Sequence, residues 1–325
     1  MRKQFILLIA VFAVLLVACE PRTTPGGAGA IPADLEPLRI AVIHNNADHP
    51  SITAIVQGMQ EEGRFFNAEI TFFDPAFDPA RQVSMIEDSI VRRPHVIVVN
   101  AVDPVAVIPA IRMAYESGIP VLTQNANVAR DGLQYIHAFV GSESIDQGYA
   151  VGRMMVERFG NRNANVIILG GFPGQTDYIN RVQGMRDAWA SAGVNYTILA
   201  DQPADWSQDR ALVVMQDMLT RFPDGTLDIV FAVDDPMALG AVEAIRAAGR
   251  RNIAVYGVNG NIAAFTAIRA GEMAGTALQM SYLVGVYTIR AAHDIRMGRI
   301  LPDNIMAPTA PVTIDNIDQW QAFAW

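Results

Sequence analysis

Lysine and cysteine are almost missing from this chain of 325 residues. The only lysine is Lys3 and the only cysteine is Cys19, so neither type occurs further along the sequence. A single cysteine cannot form an intramolecular disulfide. Schiff-base chemistry, a P-loop lysine and a cysteine nucleophile are therefore excluded from the chain beyond Cys19.

Positive charge is also scarce, and the formal net charge is −9. Nucleic acid requires a basic protein face, and an electrostatically held membrane surface requires clusters of Lys and Arg. Neither is expected as a partner. The composition, 51% hydrophobic and 18% charged, is typical of a globular protein, and the length is sufficient for two domains.

The N-terminus has the features of an export signal. Arg2 and Lys3 precede an apolar stretch at 5–17, which is shorter than the roughly 20 residues needed to span a bilayer. The stretch ends in the letters LVAC, whose last residue is Cys19. This ending resembles the lipobox of bacterial lipoproteins, in which the cysteine becomes the lipidated first residue.

We therefore expect a lipoprotein signal peptide at 1–18 and lipidation of Cys19. The protein would lie outside the cytoplasm, in the periplasm or at the cell surface, attached to the membrane by the lipid alone. Cleavage would change the net charge from −9 to −11, because it removes Arg2 and Lys3 and no acidic residue. An ordinary secretory signal with an incidental cysteine and a poor transmembrane anchor are the alternatives.

Residues 19–37 are rich in Pro, Gly and Ala without a periodic pattern, which predicts a flexible tether. Apolar runs and helical patterns then alternate. Strands are predicted at 39–45, 69–74, 95–100, 119–125, 165–170, 196–200, 228–234, 253–259 and 274–279. Helices are predicted at 50–63, 79–92, 105–117, 144–159, 176–192, 207–221, 236–248 and 281–297. Continuous apolar strands between helices indicate parallel sheets buried on both faces.

This alternation predicts an α/β fold with two doubly wound, Rossmann-like lobes. Polar side chains end six of the predicted strands: Asn45, Asn100, Asn125, Asp234, Asn259 and Gln279. In open α/β sheets, ligands bind beyond the carboxyl ends of the strands. The six residues therefore predict a shared cleft lined by hydrogen-bonding groups.

Two adjacent aspartates, Asp234 and Asp235, follow one of these strands and precede Pro236. Proline is favoured in the first turn of a helix and aspartate is a favoured N-cap. We expect Asp235 to be the N-cap and Asp234 to face the cleft.

Three segments carry a family resemblance: QPADWSQDRALVVMQDMLTRFPD, VDDPMALGAVEAIRAAG and VYGVNGN. They resemble the ribose/galactose group of bacterial type I periplasmic binding proteins, and the similarity extends over 38–316. The resemblance implies two lobes joined by three crossovers that close around a monosaccharide, which is then delivered to the permease of an ATP-driven (ABC) importer. The lobes would be 38–141 with 281–307, and 142–280 with 308–325.

The same resemblance implies the ligand-binding residues. They are Asn45, His49, Asn100 and Asn125 in the first lobe, with Arg181, Trp206, Asp234 and Asn259 in the second and Gln279 at a crossover. Amides and carboxylates can bond vicinal hydroxyls, and a tryptophan can stack on the apolar face of a sugar. Arg181 and Asp234 are expected to neutralise each other. No cofactor, no metal and a monomeric state are expected.

The chain departs from the ribose-binding pattern at several positions. Asn125-Ala126 stands in place of an Asp-Arg pair, and Ser51-Ile52 in place of two stacking phenylalanines. Asp234 stands in place of Asn, and Asn259 in place of Asp. The ligand is therefore left open among a pentose variant, a polyol, a cyclitol and a signalling furanoside.

Four alternatives differ in function. A transcription regulator of the lac-repressor type would need a helix-turn-helix where the export signal stands. An enzyme would need a catalytic constellation, and no Ser-His-Asp order or glycine-elbow motif is present. A metal site could use His44, Asp48 and His49. A sensor accessory protein, presenting its ligand to a kinase or chemoreceptor, would share the binding cleft.

Overall fold

The computed structural model describes residues 36–325. The predicted signal peptide, Cys19 and the predicted tether up to residue 35 lie outside the described residues. The strands are β1 (Leu38–Ile43), β2 (Ala68–Phe73), β3 (Val96–Val99), β4 (Val121–Gln124), β5 (Ala138–Gly141), β6 (Asn165–Gly170), β7 (Thr197–Pro203), β8 (Ile229–Ala232), β9 (Ala254–Asn259), β10 (Gly275–Gln279), β11 (Asn304–Met306) and β12 (Thr309–Val312).

The helices are α1 (Pro50–Phe65), α2 (Pro79–Val91), α3 (Ile108–Glu116), α4 (Ser144–Phe159), α5 (Thr176–Ser191), α6 (Gln208–Arg221), α7 (Asp235–Ala247), α8 (Ile262–Arg269), α9 (Ser281–Arg296) and α10 (Ile317–Trp320). Short 3-10 helices occupy Arg130–Tyr135 and Gln321–Phe323. No helix within this described range is both long and apolar enough to cross a bilayer.

The strands form two six-stranded sheets. The first has the order β11-β5-β4-β3-β1-β2 and is parallel throughout, whereas the second has the order β12-β10-β9-β8-β6-β7 and carries β12 antiparallel at its edge. We call the two halves built on these sheets the N-lobe and the C-lobe. The predicted fold class, two doubly wound α/β lobes, is confirmed.

The elements missing from the sequence prediction are short. β11 has three residues, β5, β12 and α10 have four each and α8 has eight, too few for a clear periodic pattern. The strand predicted at 228–234 ends earlier, at Ala232, because Asp234 begins the next helix.

Helices cover both faces of the N-lobe sheet. On one face α1 and α9 bury Ile52, Ile55, Val284 and Ile289, and on the other α2 and α3 bury Ile86 and Ile111. This burial on both faces accounts for the continuous β-branched runs of β1 and β3. In the C-lobe, α4 packs on α5 and α6 packs on α7.

The contact of α4 with α5 depends on glycine. A Cβ atom at Gly148 would collide with the backbone carbonyl of Arg181, and one at Gly184 with that of Ile145. The two helices therefore approach more closely than side chains would permit. This approach places Gln147 of α4 beside the guanidinium of Arg181.

The chain passes between the sheets three times: after β5, between β10 and α9, and between β11 and β12. Two of these segments are joined where the Ser142 hydroxyl donates to the carbonyl oxygen of Ala307, at 3.0 Å. Both sheets belong to one compact unit, Glu36–Trp325. That these three crossovers act as a hinge stays a prediction.

Candidate functional site

A cavity lies where the carboxyl ends of the strands of both sheets meet. It contains about 570 Å³ of space without protein atoms, part of it open to solvent. The wall includes six of the nine predicted ligand-binding residues: Asn45, His49, Asn125, Arg181, Trp206 and Asn259. The other three, Asn100, Asp234 and Gln279, are buried behind it.

The N-lobe wall consists mainly of asparagines held by local hydrogen bonds. Asn45 follows β1, and its Oδ1 accepts the backbone N–H of Asn46 at 2.8 Å. Asn127 Oδ1 accepts the backbone N–H of Val128 and the hydroxyl of Thr123, both at 2.8 Å. The orientation of both side chains is therefore set by the turns that follow β1 and β4.

Arg181 of α5 dominates the C-lobe wall. Its guanidinium donates to Gln147 Oε1 at 2.8 Å, to the carbonyl oxygen of Val233 at 2.6 Å, and to Asn259 Oδ1 and Gln279 Oε1 at 3.3 and 3.4 Å. All these acceptors are uncharged. The direct neutralisation by Asp234 expected from the sequence is therefore not observed among residues 36–325.

The charge of Arg181 is compensated at longer range. Burial lowers the pKa of Arg181, while the negative charges of Asp177, Asp234 and Asp235 act in the opposite direction. Because a guanidinium is not deprotonated in proteins, the side chain stays positively charged. The C-lobe wall thus carries a buried cation. Carboxylates lie around it, but none of them is directly paired with it.

Four amide nitrogens remain available at the cavity. The Oδ1 atoms of Asn45, Asn125, Asn127 and Asn259 accept hydrogen bonds from the protein, and their Nδ2 atoms donate to no group in the described residues. Backbone N–H groups and Arg181 can only donate, so these contacts settle which end of the amide is oxygen in Asn45, Asn127 and Asn259. Asn125 is settled one step further away, because Gln279 presents its own oxygen to Arg181 and its nitrogen to Asn125. The cavity therefore presents a set of NH₂ donors from both lobes.

Asp177, in the first turn of α5, supplies a carboxylate to the same wall. One oxygen accepts the hydroxyl of Ser144, which is its only hydrogen-bond partner within the described part of the chain. Burial raises the pKa of Asp177, and the positive charge of Arg181 and the Ser144 hydroxyl counteract this only in part. The second oxygen accepts no hydrogen bond within residues 36–325.

Two aromatic rings complete the wall, Phe77 after β2 and Trp206 after β7. Both have left-handed backbones, with φ of 59°. The Trp206 ring lies 5.6 Å from the guanidinium carbon of Arg181 and donates its N–H to Gln175. A Cβ atom at Gly171 would collide with this ring, so glycine is required there.

Neither of the two aspartates has the role expected from the sequence. Asp234 is the N-cap of α7, and its Oδ1 accepts the backbone N–H of Met237 at 2.9 Å. Asp235 is fully buried and accepts the N–H groups of Gly260 and Asn261 and the hydroxyl of Thr276. The assignment of Asp235 as the cap is wrong, because its carboxylate points back to β9 and β10 instead of along its own helix.

Burial raises the pKa of Asp235 to about 7, since the loss of water outweighs the three hydrogen bonds that favour the ionised form. The carboxylate stabilises the turn after β9, where Asn259 and Gly260 have positive φ angles of 117° and 82°. This turn orients Asn259 toward Arg181.

The three buried members of the predicted set connect the wall to the fold. Asn100 Oδ1 accepts the backbone N–H of Ala126 at 3.2 Å. Gln279 donates to Asn125 Oδ1 at 2.6 Å and so links the crossover after β10 to the N-lobe. Asp234 Oδ2 lies 2.9 Å from His49 Nε2 of the N-lobe.

Sequence reasoning missed Phe77, Asn127, Gln175 and Asp177. The last two follow the carboxyl end of β6, where the rule on strand ends points to a ligand. Because β6 ends in Gly170 without a polar side chain, no residue at its end marks the following loop as part of a site. Phe77 offered no signal, since nothing in the order of residues shows that the loop after β2 reaches the cavity.

The histidines proposed for a metal make other contacts. His44 is buried against the Phe72 ring, with centroids 5.6 Å apart, and burial lowers its pKa to about 4. His49 bonds Ser51 and Asp234. In the described part of the chain, no three residues of the metal-binding types are grouped to hold an ion.

Comparison with known proteins agrees with this geometry. A family model described as a periplasmic binding protein domain matches residues 40–300. The chain is 29% identical over 259 residues to the ribose import binding protein of Salmonella typhimurium, covering 80% of this chain and 85% of that protein. It is 27% identical over 296 residues to the xylitol-binding protein of Mycolicibacterium smegmatis, covering 91% and 82%.

Among solved structures, the ABC transporter solute binding protein of Bacillus halodurans with bound myo-inositol superposes with a TM-score of 0.82 and 27% identity. The match covers 90% of this chain and all of that one. The family model spans most of the chain and both lobes. This chain therefore belongs to the periplasmic binding protein family, whose members are binding proteins and not enzymes.

Proposed function

We propose that this protein is an extracytoplasmic solute-binding component of an ABC importer. Its ligand would be a monosaccharide or a similar polyhydroxylated small molecule, bound in the cavity between the lobes. The observation that carries the proposal is a set of four asparagine NH₂ groups at one cavity. Two of them, from Asn45 and Asn127, belong to turns of the N-lobe. The other two belong to Asn259, which is bonded by Arg181, and to Asn125, which is bonded by Gln279.

The chemistry of the wall suits a neutral polyol. Hydroxyl oxygens accept from the amide nitrogens, and a hydroxyl hydrogen can be donated to the second oxygen of Asp177. Trp206 and Phe77 offer ring faces to apolar C–H groups. The wall contains both Arg181 and Asp177, so neither sign of ligand charge is favoured strongly. Ribose, xylitol and myo-inositol, bound by the relatives named above, all have this chemistry.

We propose that binding is accompanied by hinge closure. The moving bodies would be 38–141 with 281–307, and 142–280 with 308–325, joined at the three crossovers. Ligand contacts from both lobes stabilise the closed form over the open form, so ligand shifts the population toward closure. Small-angle scattering should show compaction on adding a ligand of confirmed affinity.

A thermal-shift screen followed by calorimetry tests the function. Pentoses, hexoses, acyclic polyols and cyclitols would be added to the purified protein. A ligand at 100 times its dissociation constant should stabilise the protein by about 2.7 kcal/mol. Binding of an amino acid or a peptide, with no response to any polyol, would contradict the proposal.

We also propose that Cys19 anchors the protein through a lipid. The support is the LVAC ending after a short apolar stretch and the lack of any other cysteine. Cys19→Ser should release the protein into the soluble fraction, and mass spectrometry of the wild-type N-terminus should show a lipid-modified Cys19. Unchanged membrane attachment of the variant would count against this anchor.

The proposed macromolecular partner is an importer permease, and the binding protein itself is proposed to act as a monomer. The support is the family membership together with a solved relative described as an ABC transporter solute binding protein. Co-purification with the permease in detergent and the mass of the free protein in solution test these two points separately.

A further inference from the structure

We propose that His49 and Asp234 act as an interlobe positioning pair that holds the closed form directly, and not as two separate ligand contacts. This inference rests on the proposed function, because it concerns the equilibrium that the ligand would shift. His49 belongs to the N-lobe at the start of α1, and Asp234 to the C-lobe at the start of α7. Their contact, His49 Nε2 to Asp234 Oδ2 at 2.9 Å, spans the cleft.

The neighbours of His49 define its tautomer. Its Nδ1 accepts the backbone N–H of Ser51 at 3.3 Å, as the N-cap of α1, and lies 2.9 Å from the Ser51 hydroxyl. Because a backbone N–H can only donate, Nδ1 carries no proton and the ring hydrogen of the neutral imidazole is on Nε2. Nε2–H therefore donates to Asp234 without any need for a charged histidine.

The second carboxylate oxygen of Asp234 needs a hydrogen-bond donor. The side chain is fully buried, and Oδ1 is occupied by the cap bond to Met237. His49 supplies the hydrogen bond to Oδ2. A buried carboxylate oxygen without a donor is costly, and hydrogen bonds to a charged group are the stronger kind. The N-terminal ends of α1 and α7 both favour the negative charge.

The pair leaves little for a ligand to contact. Both ring nitrogens of His49 and both oxygens of Asp234 already have protein partners, and Asp234 is absent from the cavity wall. Substitution of either residue should therefore act on ligand affinity through the closed fraction, since the apparent dissociation constant rises as the competent fraction falls.

Three other contacts within residues 36–325 cross between the lobes near the cavity. Gln279 donates to Asn125 Oδ1 at 2.6 Å, Gln175 donates to the carbonyl oxygen of Val102 at 3.1 Å, and the Phe77 and Phe172 rings meet edge to face with centroids 5.0 Å apart. All three are contacts between uncharged groups. The His49–Asp234 bond involves a buried charge, so it is the contact whose loss should shift the equilibrium most.

The experiment measures the ligand-free protein. Spin labels on Ser84→Cys in α2 and Gln216→Cys in α6, both exposed positions, would report the distance between the lobes by pulsed dipolar spectroscopy. The background is the full chain with Cys19→Ser, so that only the two new cysteines are labelled. His49→Asn and Asp234→Ser are the test variants, because each keeps a residue type that caps a helix but is too short to span the cleft.

Each variant should lower the closed-to-open ratio by about 10- to 100-fold, the range for a hydrogen bond to a charged group. The double variant should be no more open than either single variant, because one contact is lost in all three. Asn45→Ala is the matched control, since Asn45 lines the cavity but bonds only its own turn. It should weaken ligand binding and leave the distance distribution unchanged.

Distance distributions of His49→Asn and Asp234→Ser that equal the wild-type distribution would overturn the proposal, as would additive opening in the double variant. The readout needs no ligand, so it is independent of whether a polyol binds. If the screen finds no polyol but the variants open, the proposed function fails and the pair stands. If polyols bind but the variants do not open, the pair fails and the function stands.

Discussion

The two walls of the cavity use different chemistry for the same task. The N-lobe wall is neutral, and Asn45 and Asn127 are oriented by backbone groups one residue away. The C-lobe wall contains Arg181 and Asp177, whose partners come from other helices and strands. A neutral amide can be oriented by its own turn, whereas a buried charge needs acceptors or donors from several elements. The C-lobe wall should therefore be the more sensitive to substitution.

Loss of the buried cation should have the largest effect. Arg181→Met leaves Gln147, Asn259 and the carbonyl oxygen of Val233 without their donor, so the free energy of unfolding should fall by about 3–5 kcal/mol and ligand binding should be lost. Urea unfolding measures this. The control is Arg186→Met on the exposed face of the same helix, which should change stability by less than about 0.5 kcal/mol. Equal effects of the two variants would show that the network around Arg181 contributes nothing.

The buried carboxylate Asp235 should make stability depend on pH. Its pKa is raised in the folded protein, to about 7 from the ordinary 3.8 of an aspartate, so the folded state binds the proton more tightly than the unfolded state. Its contribution to stability is therefore fully present below about pH 4 and is lost as the pH rises through about 7. In Asp235→Asn this decline, on the order of a few kcal/mol, should disappear.

Unfolding of wild type and Asp235→Asn between pH 4 and pH 8 tests this, with the difference between the two proteins as the measured quantity. The difference removes the titration of all other groups. A difference that does not vary with pH would mean that Asp235 stays ionised in the folded protein throughout, with its three donors outweighing burial.

His44 is an ionisable group buried beneath the N-lobe wall. Its effect on the pH dependence of stability should have the opposite sign to that of Asp235. Its pKa is lowered to about 4 from the ordinary 6.5 of a histidine, so its contribution to stability is present above about pH 6.5 and is lost as the pH falls through about 4. His44→Phe removes two ring nitrogens that have no partner in the described residues. At pH 5 the variant should be more stable than wild type by about 2 kcal/mol, with a smaller gain at pH 7.

Thermal melts of both proteins at pH 5 and pH 7 measure this gain. A variant that is less stable at both values would show that the ring nitrogens of His44 are satisfied in solution. The control is His44→Leu, which also removes both nitrogens but gives up the stacking on Phe72.

A single amide of the neutral wall should have the smallest effect. Asn45→Ala removes one NH₂ donor, so ligand affinity should fall by about three- to tenfold, with almost no change in unfolding. Asn46→Ala is the neighbouring control, because Asn46 lies outside the cavity wall and its Oδ1 accepts from Asp48. Calorimetry with the ligand found by the screen measures the affinity of both variants. If Asn45→Ala lowers the affinity more than a hundredfold, the N-lobe wall is not the less sensitive of the two walls.

The sequence by itself determined the alternation of strands and helices, and with it the two doubly wound sheets. The resemblance to periplasmic binding proteins pointed to His49, Arg181 and Trp206 in the cavity wall. The residues at strand ends identified three more, Asn45, Asn125 and Asn259, because polar side chains after buried parallel strands must gather at one edge of each sheet. These inferences depend on local patterns: β-branched runs, helical spacing and the type of residue at a strand end. The short elements α8, β11 and β12 carry too few residues for such a pattern.

Only the tertiary structure decided which aspartate caps α7 and what Arg181 contacts. Asp234 and Asp235 are adjacent and chemically identical, and their roles differ because β9 and β10 bring Gly260, Asn261 and Thr276 to Asp235 alone. The partners of Arg181 lie between 34 and 98 residues away in the chain. His49 and Asp234 are separated by 185 residues. Contacts at such separation depend on how the two lobes pack, and no local pattern of residues encodes them.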